Sequence, residues 1–390
     1  MITNIKYSDL IKTAIKETYV QATQRKLLEK LKNQVITYEE SIFTYDLVHV
    51  QKTQTFGEIF NLAMNSYEEK TIQIIQELEY ELAFKYATLY TINSPILGKL
   101  DKLLKEGKIL DATSLKFSED YVTDWTYQTN LIPSFKKYDD TTYFLKFSNA
   151  ISGHKTAENS SRVTIKYPII VVYYSDLDIL EIRLDNIKGY LRRGDEYFYS
   201  KQISKVISWF QIYLDITPLP LDIGSTIDII SNADEEHVNV FAKELKYRSG
   251  SKVVLDTGRN DSTVLPLLGD LKQIISENDD LFKSCINTGK IQKLLSDFID
   301  EIEESSDSPW ISLRWNDELS NKALKVKFSF NYKEKNIDLL QYYNSSSTEM
   351  ERMNYVTKYL VEYKRKYENQ EFATPISREV IKDATIFQKE

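Results

Sequence analysis

With 390 residues, 42% of them apolar and 28% charged, the chain is too long for one ordinary core and too apolar for disorder; two or three domains of roughly 150 residues each are expected. A net charge of −8 excludes a general attraction to nucleic acid or anionic membrane, so any such contact needs a local basic patch. The single cysteine, Cys285, excludes an internal disulfide and a multi-cysteine zinc site.

The N-terminal stretch "MITNIKYSDLIKTAIKETYV" scatters charges among its apolar positions. It therefore reads as neither a signal peptide nor a membrane span, and the expected location is cytoplasmic. Leu10, Ile11, Ala14 and Ile15, then Leu27, Leu28 and Leu31, recur at helical spacing, with Ser8 or Asp9 as caps. A stronger stripe of Ile72, Ile75, Leu78, Leu82 and Tyr86 runs within residues 56–90, with Glu77, Glu79 and Glu81 turned away from it. It predicts a helical hairpin or one long helix used for packing against another subunit. "SPILGKLDKLLKEGK" predicts a further helix, capped by Ser94 with Pro95 in its first turn.

Near Asp111 the texture changes. "TTYFLKFSN" and "SRVTIKYPIIVVYY" are rich in aromatic and β-branched residues, and "SDLD" marks a turn. "ILEIRLD" then alternates strictly, which predicts a half-buried antiparallel strand with Glu181, Arg183 and Asp185 on its wet face. "FYSKQISKVISWFQIYLDI" reads as an amphipathic helix stopped before Pro218 and Pro220.

Residues 225–250 read as one helix and "SKVVLDTG" as a short strand. Two helical stretches follow, 265–284 and 291–304. "PWISLRWND" and "KALKVKFSFNYK" predict a second hairpin, and "STEMERMNYVTKYLVEYKRKYEN" predicts a long helix with Met353, Val356, Leu360 and Tyr363 as its apolar stripe. Arg183 and Arg314 each lie between apolar residues on a predicted strand, a weak internal echo.

Several chemistries are weighed against these elements. "KVVLDTGRNDSTVL" resembles the catalytic turn of retroviral-type aspartic proteases through Asp256, Thr257 and Gly258. That resemblance implies paired carboxylates and a glycine-rich flap. The chain has no second Asp-Thr-Gly, the downstream region reads as helix, and Arg259 stands where those enzymes carry a small residue. A turn closing a strand is the preferred reading. A metal-dependent nuclease could draw on Asp176 or Asp178 with Glu181 and Arg183, but the acids are too close in sequence for adjacent strands. His49, His154 and His237 have no ligand partners at helical spacing, and no phosphate-cradling glycine motif occurs. No cofactor, metal or catalytic residue is therefore assigned, and enzymatic activity stays open.

The candidate nucleic-acid-binding set is Lys188, Arg192, Arg193, Tyr197, Tyr199 and Lys201, where cations lie beside aromatic rings. Further basic clusters occur at Arg25, Lys26, Lys30 and Lys32, and at Lys358, Lys364, Arg365 and Lys366. The 27 tyrosines suit interaction surfaces, although a composition also rich in Ile, Lys and Asn accounts for them as well.

The expected fold is α+β: a helical N-terminal region followed by two mixed units of antiparallel hairpins with flanking amphipathic helices, divided as residues 1–110, 111–230 and 231–390. The expected role is a non-catalytic interaction or assembly subunit of an intracellular complex. Its partner is another protein, or a second copy, met through the amphipathic helices, and no membrane is involved. The alternative is a nucleic-acid-contacting component, a divergent nuclease included, of a prokaryotic antiviral defence system.

Overall fold

In a computed structural model the described residues are 6–38, 47–112, 132–155, 161–232, 237–246, 252–256, 307–316, 323–343 and 350–373, with isolated positions between 275 and 297. The N-terminal helices follow their apolar spacing. Helix α1 (Tyr7–Thr18) buries Tyr7, Leu10, Ile11, Ala14 and Ile15 along one face, and α2 (Gln21–Leu31) buries Leu27 and Leu31. A short parallel pair, β1 (Ile36–Tyr38) and β2 (Val48–Val50), follows.

Helix α3 (Phe56–Ser66) begins at a capping box: the Thr55 hydroxyl accepts from Glu58 N, and the Glu58 carboxylate accepts from Thr55 N at 2.7 Å. Tyr67 alone separates it from α4 (Glu68–Leu78). Residues 56–90 thus hold two helices and then a strand, β3 (Tyr86–Thr91), rather than one helical run. Helical spacing carries Tyr86 into the stripe, but Tyr86, Thr88 and Tyr90 also sit on one face of a strand, and pairing with two neighbours decides between the readings.

Helix α5 (Leu97–Lys105) starts behind Ile96, past Ser94 and Pro95. The short strands β4 (Leu110–Asp111) and β5 (Ser134–Lys137) lead into the long hairpin β6 (Thr142–His154) and β7 (Arg162–Tyr174), and β8 (Ile179–Leu184) pairs back on β7. The turn α6 (Gly189–Arg192), helix α7 (Phe198–Leu214), the short strand β9 (Leu219–Pro220) and helix α8 (Gly224–Asn232) follow. Then come β10 (Val238–Lys246), β11 (Lys252–Asp256), β12 (Asp307–Trp315), β13 (Leu324–Ser329), β14 (Leu339–Tyr343) and the last helix, α9 (Met350–Ala373).

The single helix expected over 225–250 is replaced by α8 and β10. Val238, Val240 and Phe241 are strand formers, and β10 gains ladders to both β11 and β12. The predicted hairpin of β12 and β13 is present, with Leu313 facing Val326. The helices expected over 265–284 and 291–304 lie largely outside the described residues.

These strands form one sheet in the order β11-β10-β12-β13-β14-β3-β8-β7-β6-β5-β4, with β9 also paired to β3. Every pairing is antiparallel except β4 with β5. One face of its β6–β8 half packs on α5 and α7, joining Leu180, Ile182 and Leu184 to Leu100, Ile203 and Phe210. The other face joins Val172, Ile179, Leu313, Val326 and Leu340 to Ile227 of α8 and to Met353, Val356 and Leu360 of α9. A smaller core holds α1 to α4 together around Ile11, Leu27, Ile59 and Ile72.

Strand β8 is therefore buried on both faces, and Glu181 and Arg183 are 0% and 1% exposed. The wet face expected from its alternation is covered by α9, which a local pattern cannot reveal. Arg314, the proposed echo of Arg183, points to the opposite face of the sheet: its neighbours Leu313 and Trp315 join the core on the α9 side, where Arg183 lies. Among the described residues no helix is long and apolar enough to cross a membrane.

Candidate functional site

The residues proposed from sequence for nucleic-acid contact meet at one corner, where α6 turns into α7. Lys188 is paired with Glu17 of α1 at 2.8 Å, and Lys201 with Asp195 at 2.7 Å. Tyr199 is buried, with its hydroxyl donating to Asn186 Oδ1 at 3.1 Å and its ring 4.6 Å from that of Tyr86. The Arg192 guanidinium lies 6.0 Å from the Tyr199 ring. Arg193 has φ 53° and donates from Nε to Ser152 O at 2.8 Å. Tyr197 is 43% exposed, with Lys335 5.1 Å from its ring centre. The corner thus offers Arg193 and Tyr197 to solvent, while both lysines already have carboxylate partners.

Burial opposes ionisation of Glu17, but Lys155, Lys188 and Tyr190 outweigh it and hold the carboxyl at about 2. This cluster ties α1 to the α6 turn and to the end of β6.

Two further ionic clusters lie inside the fold. Glu79, just past α4, accepts from Lys166 of β7 through both oxygens, at 2.6 and 2.8 Å, and from Lys146 of β6 at 2.9 Å. All three side chains are at most 5% exposed. Burial pushes Lys146 down to about 8, whereas the doubly held Lys166 is raised by Glu79 against its burial. The glutamate read as turned away from the apolar stripe is instead the joint between the helical layer and the sheet.

In the second cluster, Arg183 Nη2 donates to Glu181 Oε2 at 2.7 Å and to Asn354 Oδ1 of α9 at 2.6 Å, and the Tyr174 hydroxyl donates to Glu181 at 2.8 Å. The acids weighed for a nuclease are not brought together here. Glu181 is sealed beneath α9, while Asp178 lies in the β7–β8 turn next to the Tyr173 hydroxyl. Among the described residues no group of three or more His, Cys, Asp or Glu is arranged to hold a metal ion. His49, His154 and His237 are exposed on separate elements. Asp256 ends β11 opposite Ala242; Thr257, Gly258 and Arg259 lie outside the described residues, as does Cys285.

The surface along α9 is organised differently. Met350, Met353, Val356, Leu360 and Val361 seat the helix in the core. Beside them Tyr355, Tyr359, Tyr363 and Tyr367 recur at every fourth residue, the spacing that stacks side chains along a helix. Ring centres are 6.2 Å apart between Tyr355 and Tyr359 and 5.8 Å between Tyr359 and Tyr363. Trp315 supports the row with an edge-on contact to Tyr359 at 6.1 Å. The row is half-buried in the middle and open at its ends, where Tyr355 is 53% and Tyr367 37% exposed.

At the first turn of α9 the Tyr138 hydroxyl donates to Glu351 at 3.0 Å. An open cleft of about 540 Å³ begins there, lined by Lys30, Tyr80, Lys136, Tyr138 and Glu351. The tyrosine row was legible in the sequence as its spacing, but only the position of Trp315 under α9 separates it from an ordinary core stripe. No protein-family model matches the chain, and comparison with curated proteins gives no match either.

Proposed function

We propose that this protein is a non-catalytic interaction subunit that docks a protein partner along α9, from the cleft at Tyr138 and Glu351 to Tyr367. The exposure of Tyr355 and Tyr367 at the two ends of a row of tyrosines, whose inner pair Tyr359 and Tyr363 is stacked, carries this reading. Tyrosine contributes a large, rigid apolar area with a polar tip and is enriched where protein interfaces concentrate their binding energy. The buried ion clusters support the same reading, because their charges are spent on joining elements to one another.

Site-specific photo-crosslinking tests the proposal in cells that make the protein. A photoreactive phenylalanine at Tyr355 or Tyr367 is expected to trap one recurrent protein. The same group at Lys102, a side chain 77% exposed on α5, is expected to trap none. Equal yields at all three positions would reject α9 as the docking face.

A further inference from the structure

The sheet face opposite α9 presents a second, chemically distinct surface on β10, β12, β13 and β14. Leu313, Trp315, Val326, Phe328, Leu340 and Tyr342 fill the core on the α9 side. Strand alternation therefore sends Trp310, Arg314, Lys325, Lys327 and Tyr343 to the other face, where all five are half-buried. Arg314 lies directly opposite Lys325, and Lys325 directly opposite Tyr343. Like charges on paired positions oppose sheet formation. Their retention in the middle of a ladder calls for a compensating use.

Two lysines of this face, and Lys85 beside it, lie over aromatic rings. Lys325 lies 3.5 Å from the ring centre of Phe241, Lys327 3.7 Å from that of Trp310, and Lys85 4.9 Å from that of Tyr343. Phe241 falls at a register shift in β10, between Val240 and Ala242, the type of bulge that re-aims a side chain. Glu244 of β10 is already engaged by Lys252 at 3.1 Å and by Trp310 Nε1 at 2.6 Å. A lysine held on a ring is not neutralised by it, whereas one paired with a carboxylate is; burial lowers the Lys327 pKa, and nearby Glu244 opposes that shift.

We infer that this face binds single-stranded nucleic acid, with phosphates on Arg314, Lys325 and Lys327, and with Lys327 and Lys85 leaving the Trp310 and Tyr343 rings for phosphates as bases take their place. Interleaved cations and aromatic rings on one sheet face suit a flexible strand, whose bases are free to stack, better than a duplex. The positive strip also supplies the local attraction that a chain of net charge −8 lacks overall. It is independent of the α9 surface, on the other side of the same sheet.

Fluorescence anisotropy with labelled single strands of about 20 nucleotides, DNA and RNA, from about 50 to 200 mM salt, tests the inference. Wild type is expected to bind with an affinity that falls steeply with salt. The triple change Arg314→Gln/Lys325→Gln/Lys327→Gln is expected to weaken binding at least about tenfold at low salt and to flatten the salt slope by about 2. Trp310→Leu should weaken the nucleic acid while leaving inorganic polyphosphate unaffected. Arg193→Glu/Tyr197→Ala should leave binding unchanged, and circular dichroism confirms that each variant is folded. The inference is overturned if wild type does not bind, if Arg193→Glu/Tyr197→Ala abolishes binding while the triple variant retains it, or if polyphosphate competes equally with nucleic acid and Trp310→Leu changes nothing.

Discussion

Two positive charges and one negative charge meet at Lys146, Lys166 and Glu79, all within the joint between helices and sheet. The imbalance decides which change the protein tolerates. Glu79→Gln leaves two buried lysines facing each other and is expected to destabilise the fold by about 3–5 kcal/mol, the usual consequence of stranding buried charge. Lys146→Met leaves the Glu79–Lys166 pair balanced, and its effect should be smaller by about 2 kcal/mol or more. Urea unfolding of both variants measures the difference, and equal destabilisation would contradict this account of the cluster.

Asp185, just beyond β8, carries the opposite electrostatic sign. Burial raises its carboxyl from 3.8 to about 6, although the backbone amides of Asn186 and Lys85 oppose the shift. The folded state therefore binds the proton more tightly than the unfolded state. This group's contribution to stability is full below pH 3.8 and is lost as pH rises through about 6. Asp185→Asn is accordingly expected to raise Tm well above pH 6, with the gain vanishing below pH 3.8. Calorimetry across that range checks it, and a lower Tm for the variant at neutral pH would contradict the assignment.

At the scale of elements, the docking of α6 on β6 depends on a missing side chain. A Cβ built on Gly153 would stand 2.8 Å from Leu191 Cα and press on the Tyr190 carbonyl, both backbone and both unable to swing away. Gly153→Ala is expected to push α6 outward and destabilise the protein by about 1–3 kcal/mol. Loss of the Arg193–Ser152 contact should follow, read as faster hydrogen exchange in α6; unchanged exchange would show that the turn adapts without displacement.

Elements whose signal is local were legible in the sequence. The helices α1, α5, α7 and α9 follow apolar spacing, and β7, β8, β12 and β13 follow alternation and β-branching. What could not be read depended on distant partners. Strand β3 sits between β14 and β8, whose residues paired to the same β3 position are 157 apart in the chain, and its tyrosines fit helix and strand periods alike. Strand β10 was absorbed into a helix because its ladders to β11 and β12 are invisible locally. Glu181 and Arg183 read as a wet face because α9, which covers them, comes much later in the chain. The residues of the proposed basic corner are neighbours in the chain, but the acids that pair with Lys188 and Lys201 could not all be read from nearby residues, since Glu17 comes from α1.

At the scale of the whole molecule, one sheet carries both surfaces, with α9 and its tyrosines on one side and the Arg314–Lys325–Lys327 strip on the other. Ionic clusters bind the helical layer and α9 to that sheet. The proposed function is that of a subunit that holds partners in fixed relation, and its central requirement is a protein bound to α9. Native mass spectrometry of the protein purified gently from its own cells, as wild type and as Tyr355→Glu/Tyr367→Glu, tests that requirement most directly. Wild type is expected as a stoichiometric assembly heavier than one chain, and the variant at the mass of a single folded chain. Wild type found only as a single chain, or an assembly that survives both substitutions, would contradict it.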